Sequence, residues 1–322
     1  MTPKERLIEA FNLRQPDSIP TLELEFQLEE EMFGPVPYNY DDYKLANYSK
    51  LSEIEKEKKL RLICDYKAHV FKSLEYASWP MFWLPDMHTD GKLSDMYVKA
   101  VKLMLEHCDG KYMLHAHGDG TYSIPDGNHM YDFAYRLADD MDGVLADAQK
   151  YANWAIENNK RLVDVGIEVL ILCADYCYNN GPFVSPKTFS QIVTPYLFQI
   201  VEKSKAMGAY VIKHTDGDIM PIMDDMVSCR PHAIHSLDPM ANVDIRTVKE
   251  KYGSKVALIG NVNCALMQTG TDEEVIESAE YCLKYGRTNG GYIFSTSNVP
   301  FKGLPAERYQ LILDIWKKHR KY

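Results

Sequence analysis

Short apolar runs alternate with amphipathic stretches of helical length along most of the chain. The runs are YMLHAH (112 to 117), IEVLILCAD (167 to 175), AYVIKH (209 to 214), HAIHSLD (232 to 238), VALIGNV (256 to 262) and GYIFSTS (291 to 297), with TLELEF (21 to 26) and LEYASW (74 to 79) before them. Strands that are apolar on both faces and separated by helices are the signature of parallel βαβ units. The helices carry their own punctuation. Thr2, Pro3 and Glu5 form an N-terminal capping box ahead of Leu7, Ile8 and Phe11, and Thr271 with Glu274 forms another, for which Gly286 is the expected C-cap. Only the acidic, tyrosine-rich segment from Glu29 to Tyr76 supports no assignment between TLELEF and LEYASW.

Eight such units in 322 residues predict an α/β chain folded as one (β/α)8 TIM barrel domain over 1–322, with additional helices at the N-terminus. An open doubly wound sheet is the alternative, but no GxGxxG or GxxxxGK[ST] phosphate loop occurs.

Composition narrows the function. Lys and Arg number 36 against 46 Asp and Glu, a net charge of −10, and no basic cluster is present, which speaks against nucleic acid or an anionic membrane as partner. The opening MTPKERLIEAF reads as a helix start rather than a signal peptide, and nowhere do about eighteen apolar residues run together. A cytoplasmic location is expected, with an oligomeric assembly left open. Seven scattered cysteines without a CxxC pair fit reduced thiols.

Barrel enzymes carry their chemistry at the C-terminal ends of the strands. There the chain places Glu25, then His115, His117 and Asp119, then Asp175 and Cys177, then His214, Asp216 and Asp218, then His235 and Asp238, then Asn261 and Asn263, and finally Ser295, Ser297 and Asn298. Polar residues are expected wherever strands meet water, and Asp218 has the position of a helix cap. His115 and His117, two apart on a strand, share a face on which a metal can be chelated. His214 and Asp216 form the tightest pairing: alternation puts both on one side of a strand, and Gly217 then lets the backbone turn. An imidazole beside a carboxylate serves either as a proton-transfer pair or as part of a metal site. Glu25, His117, Asp175, Asn261, Asn263 and, from the aromatic run WPMFWLP, Trp83 are the candidate substrate-binding residues, with Glu25 also a candidate third metal ligand.

Four stretches carry a likeness to a known family: DYCYNNGPFVSPKTF (175 to 189), KHTDGDI (213 to 219), GNVNCALMQTGTDEEV (260 to 275) and GGYIFSTSNVPFKGLPAER (290 to 308). Together with RLIEAFNLRQPDSIP (6 to 20) they resemble the uroporphyrinogen decarboxylase superfamily, in character nearest its corrinoid-dependent methyltransferases. True decarboxylases carry an arginine-rich motif after the first strand; here that place reads LELEFQLEEEMFG, with five glutamates and no arginine. A polyanionic porphyrinogen would meet like charges, each pair costing on the order of 2 kcal/mol at about 8 Å with an effective dielectric near 20. The thiol-alkylating methyltransferases of the superfamily hold zinc with a His-x-Cys pair and a later cysteine. His214 matches that histidine, but Asp216 and Ser297 stand where the cysteines would be, so the resemblance implies a harder site, His214 and Asp216 with Glu25 or Asp175, suited to an oxygen-linked donor. The implied activity is transfer of a methyl group from a small methylated substrate, with an aryl methyl ether as candidate, to the cobalamin of a partner corrinoid protein. The alternatives are a uroporphyrinogen decarboxylase-like decarboxylase and a non-catalytic ligand-binding barrel.

Overall fold

A computed structural model describes residues 1–85, 87–89 and 91–322. Seven parallel strands follow one another across a single curled sheet in chain order: β1 (Ser78–Pro80), β2 (Met113–His117), β3 (Val169–Leu172), β4 (Tyr210–Thr215), β5 (Ala233–Ser236), β6 (Ala257–Ile259) and β7 (Tyr292–Ile293). Helices connect them. The longer ones are α1 (Pro3–Phe11), α2 (Glu53–Ser73), α3 (Asp95–Cys108), α4 (Met130–Asp139), α5 (Met141–Asp164), α6 (Thr194–Ala206), α7 (Ile245–Tyr252), α8 (Asp272–Gly286) and α9 (Ala306–His319). None of the described helices is long and apolar enough to cross a membrane. All seven cysteines stand free.

The period of two in each strand sorts its residues between two cores. Met113, Val169, Ile171, Ile212, Ala233, Ala257, Ile259 and Ile293 form the inner cluster, and Leu7, Ala10 and Phe11 of α1 close it from below. Phe11 stacks on Tyr210 with ring centroids 5.0 Å apart. Their alternates, among them Leu114, Leu170, Val211, Ile234 and Leu258, face the outer helices in a second cluster. The capping boxes of Thr2 with Glu5 and Thr271 with Glu274 are both formed.

Two expectations change. TLELEF is not a full strand: Thr21 makes one parallel bridge to Phe294, and its carbonyl accepts from Ala77 N–H at 2.8 Å. This segment therefore touches both edges of the seven-stranded sheet, but beyond Thr21 it is irregular. The reason is Glu23, whose buried carboxylate captures the Thr296 N–H at 3.1 Å, a donor that a continued ladder would give to a backbone carbonyl. Gly286 is the last residue of α8 rather than its C-cap, and it packs where a Cβ would lie 2.6 Å from the Tyr292 ring.

Candidate metal centre

The same alternation builds the site upward from the inner core. Two residues beyond Ile212 on β4 comes His214, and two beyond that Asp216; two and four beyond Ile171 on β3 come Cys173 and Asp175; two beyond Ala233 on β5 comes His235. Gly217, at φ +83°, turns the chain directly after Asp216.

His214, Asp175 and Asp216 each direct one ligand atom to a common point, all within 4.8 Å of one another. His214 Nε2 lies 3.8 Å from Asp175 Oδ1 and 3.9 Å from Asp216 Oδ1. The second Asp216 oxygen, Oδ2, accepts from Asn298 Nδ2 at 2.6 Å, and the Asp216 N–H donates to Asp175 Oδ1 at 3.3 Å. Asp216 Oδ1 is buried and has no hydrogen-bond partner among the described residues. On its other side His214 meets His235, Nδ1 to Nδ1, at 2.8 Å.

The electrostatics follow from burial. The His214 imidazole is held well below its ordinary pKa, first by desolvation and then by His235, Lys213 and His117 around it. Burial also pushes the Asp216 carboxyl up to about 6, with the nearby carboxylates of Asp175 and Asp238 adding to the effect. A neutral imidazole beside an unpartnered carboxylate oxygen does not form a stable ion pair. It is instead what a divalent cation would satisfy: one nitrogen and two oxygen donors are a borderline-to-hard set that suits zinc. The residues fit the ion.

Glu25 lies outside this triad. It accepts from Trp83 Nε1 at 3.1 Å and stands 3.6 Å from His117 Nε2, and the Trp83 and His117 rings meet edge to face at 5.4 Å. Glu25 and Trp83, with Phe26, Phe71, Phe82 and Tyr40, line a cavity of about 200 Å³. His115 separates from His117 in role: its Nδ1 pairs with Ser78 at 2.9 Å and its Nε2 donates to the Leu24 carbonyl at 3.1 Å, so both nitrogens are committed to bracing the first segment.

Asn261 and Asn263 do not join either group. Asn261 is buried and donates to the Leu237 carbonyl at 2.6 Å, while Asn263 caps the short helix Cys264–Thr269 through Ala265 and Leu266 N–H. Both line a larger cleft of about 540 Å³ between α7 and α8. In its wall Asp244 caps α7 and accepts from Tyr281. Ser297 is buried, its hydroxyl facing Cys264 N–H at 3.4 Å. Asp218 accepts from Met220 N–H at 3.1 Å, but the N-cap of the 3-10 turn Met220–Ile222 is Ile219 and that of the helix Met223–Ser228 is Ile222, so Asp218 is not the helix cap its position suggested. In the sequence Asn298 and His235 stand out only as polar residues at strand ends; no local pattern reveals that one holds Asp216 and the other His214.

The uroporphyrinogen decarboxylase (URO-D) family model matches residues 126–319, more than half of the chain. The chain belongs to the uroporphyrinogen decarboxylase family. All three members of the candidate triad, Asp175, His214 and Asp216, lie inside the matched region together with His235 and Asn298, and Glu25 and His117 lie before it. Among solved structures, a methyltransferase from Methanosarcina mazei superposes with a TM-score of 0.73 at 14% identity, over 99% of this chain and 99% of that one. A GH5-4 endoglucanase from Clostridium longisporum reaches 0.49 at 13% identity over 97% and 99% of the two chains, and a sugar phosphate isomerase/epimerase from Parabacteroides distasonis 0.47 at 9% over 81% and 91%. No curated protein matches the sequence. At 14% identity the likeness to the methyltransferase is one of fold.

Proposed function

We propose that this family member is a methyltransferase that moves a methyl group from a small methylated substrate to the cobalt of a separate corrinoid protein. The observation that carries the reading is the convergence of His214 Nε2, Asp175 Oδ1 and Asp216 Oδ1, the last without a donor, at the end of the sheet. On this reading the segment through Thr21 serves as the eighth stave of a closed barrel, the whole chain is one domain, and the triad sits at its mouth.

The triad would hold a zinc ion, with Asp175 as the third ligand in place of Glu25, the other candidate. When bound, the ion supplies Lewis acidity toward a leaving oxygen, and the partner's reduced cobalt supplies the nucleophile. The chain's own residues position and orient. Asn298 fixes Asp216 through Oδ2 and leaves Oδ1 free to ligate. The aromatic walls of the cavity beside Glu25 suit the ring of an aryl methyl ether, and Trp83, more than half exposed, marks its open side. His214 acts as a ligand rather than as an imidazolium, because burial opposes its charged form.

The test is metal analysis of the purified chain, followed by mixing with reduced corrinoid protein and methyl donors while cobalt absorbance is recorded. One equivalent of zinc and a cobalt spectral change that His214→Ala abolishes are expected. Loss of carbon dioxide from uroporphyrinogen without cobalt would replace this reading with the decarboxylase one. An unchanged absorbance with every donor, and His214→Ala lowering only stability, would leave a ligand-binding barrel.

A further inference from the structure

We infer that His235 is a positioning residue for the metal centre: it accepts the Nδ1 proton of His214 and so leaves the His214 Nε2 lone pair facing Asp175 and Asp216. The inference rests on the metal-centre reading above and concerns a residue that touches neither the candidate ion nor the donor.

The argument is one of donors and acceptors. His235 Nε2 lies 3.2 Å from the Thr296 carbonyl oxygen, which can only accept. It also lies 3.4 Å from Ser295 Oγ, and that hydroxyl gives its proton to Glu23 at 2.7 Å, so toward His235 it too is an acceptor. His235 Nε2 therefore carries a hydrogen. The ring is fully buried and no carboxylate among the described residues touches it, so it is neutral, and its Nδ1 holds a lone pair. The 2.8 Å contact between the two Nδ1 atoms needs one donor, and His214 must provide it. In a neutral imidazole that leaves Nε2 bare, the form in which histidine ligates metal.

The fold makes this arrangement available without local sequence proximity. His214 and His235 are direct partners in the parallel register of β4 and β5, each one step above the inner apolar core. Glu23, Ser295, His235 and His214 thus form one polar chain running from the irregular first segment to the triad. With the opposite tautomer, two lone pairs would face each other at Nδ1, and an Nε2–H would stand at 3.8 and 3.9 Å from its carboxylates, beyond hydrogen-bond reach.

Two measurements test the inference. On metal-free protein with labelled histidines, long-range proton–nitrogen correlation spectra should show His214 protonated at Nδ1, and His235→Leu should release it to the Nε2 form or a mixture. In zinc titrations against a chromophoric chelator, His235→Leu should bind about 10- to 100-fold more weakly, while His235→Gln, whose amide can accept from His214 and donate to Thr296, should stay within about threefold of the parent. A parent His214 protonated at Nε2 overturns the inference even if zinc binds. Equal zinc affinity in all three proteins overturns it as well. If the parent binds no zinc yet His214 is held in the Nδ1 form by His235, the tautomer assignment stands and the metal reading falls. Should His235→Leu not fold, the parent spectrum and His235→Gln decide the matter.

Discussion

Lys213 Nζ, on a side chain with no solvent exposure, lies 2.9 Å from Asp119 Oδ2 and 2.8 Å from the Ala174 carbonyl, with the Tyr176 ring centroid 4.0 Å away. It thus pins the residue before Asp175 to the outer side of β4 while His214 and Asp216 point inward. Burial alone would raise the Asp119 carboxyl; Lys213, with the backbone N–H groups of Ala174 and Thr121, outweighs it and holds the group below its usual range. Lys213→Met leaves that carboxylate buried and uncompensated. We expect a loss of roughly 3–5 kcal/mol in unfolding free energy, read as a lower denaturant midpoint, with partial recovery in the double variant with Asp119→Asn. Wild-type stability in the single variant would mean the pair contributes nothing.

Glu23 should make stability fall with rising pH. Burial raises its carboxyl to about 7, against hydrogen bonds from Thr296, Ser295 and Tyr309 that pull it down. Between the ordinary glutamate value near 4.5 and 7 the folded chain binds more protons than the unfolded one, so each step up in pH favours unfolding, and above 7 the effect is complete. Over that window the parent should lose on the order of 3 kcal/mol relative to Glu23→Gln, measured by urea unfolding at pH 5 and pH 7.5. Parallel pH curves for the two proteins would place Glu23 among ordinary carboxylates.

How far the sequence reveals this architecture depends on whether the information is local. The run Tyr210, Val211, Ile212 and the capping box at Thr2 announce β4 and α1 because period and cap are written within a few residues. Helix α2 carries equally local signals: Ser52 and Glu55 form a capping box, and Leu60, Ile63, Cys64, Lys67 and Phe71 repeat on its buried face. Its charged first half, EIEKEKK, and a lysine at a core position mask that period; Lys67 is buried because it pairs with Glu29. The alternating LELE after Thr21 reads as a strand but yields to the long-range capture of Thr296 by Glu23. The triad divides the same way. His214 lies near the end of β4 and Asp216 one residue past it, so their spacing alone makes the pair legible; that Asp175 rather than Glu25 meets them, and that Asn298 comes back from beyond β7, is set by strand order and loop return.

Asp216→Asn should separate binding from stability. Its carboxylate is half-buried, lacks a donor at Oδ1 and sits near Asp175 and Asp238, so neutralising it relieves repulsion in the metal-free protein. At pH 8 we expect the metal-free variant to match the parent or exceed it by on the order of 1 kcal/mol, the gain limited by solvent screening at the partly open site. Zinc binding should fall by more than tenfold, since an amide is a poor substitute for an anionic ligand. A thermal melt and a zinc titration on the same preparation check both. A destabilised metal-free variant would mean that Asp216 serves packing rather than ligation.

Gly217 links the two acidic ligands mechanically. It adopts φ +83°, and a Cβ there would lie 2.5 Å from the Cys177 carbonyl oxygen and 2.6 Å from that of Tyr178. Those carbonyls belong to the hairpin of Cys177–Tyr178 with Gly181–Pro182, which follows Asp175 directly and accepts the Asp218 N–H at 2.9 Å. Backbone cannot swing aside as a side chain can, so Gly217→Ala must push the Asp216 turn away from the Asp175 hairpin. The left-handed conformation alone costs about 1–2 kcal/mol for alanine, and the displaced hairpin adds to it. Because Asp175 and Asp216 ride on the two segments being separated, zinc affinity should fall by a larger factor than Lys213→Met produces at equal loss of stability. Comparing the two variants at matched denaturant midpoints makes the distinction. Equal affinities there would show that the turn supports folding alone.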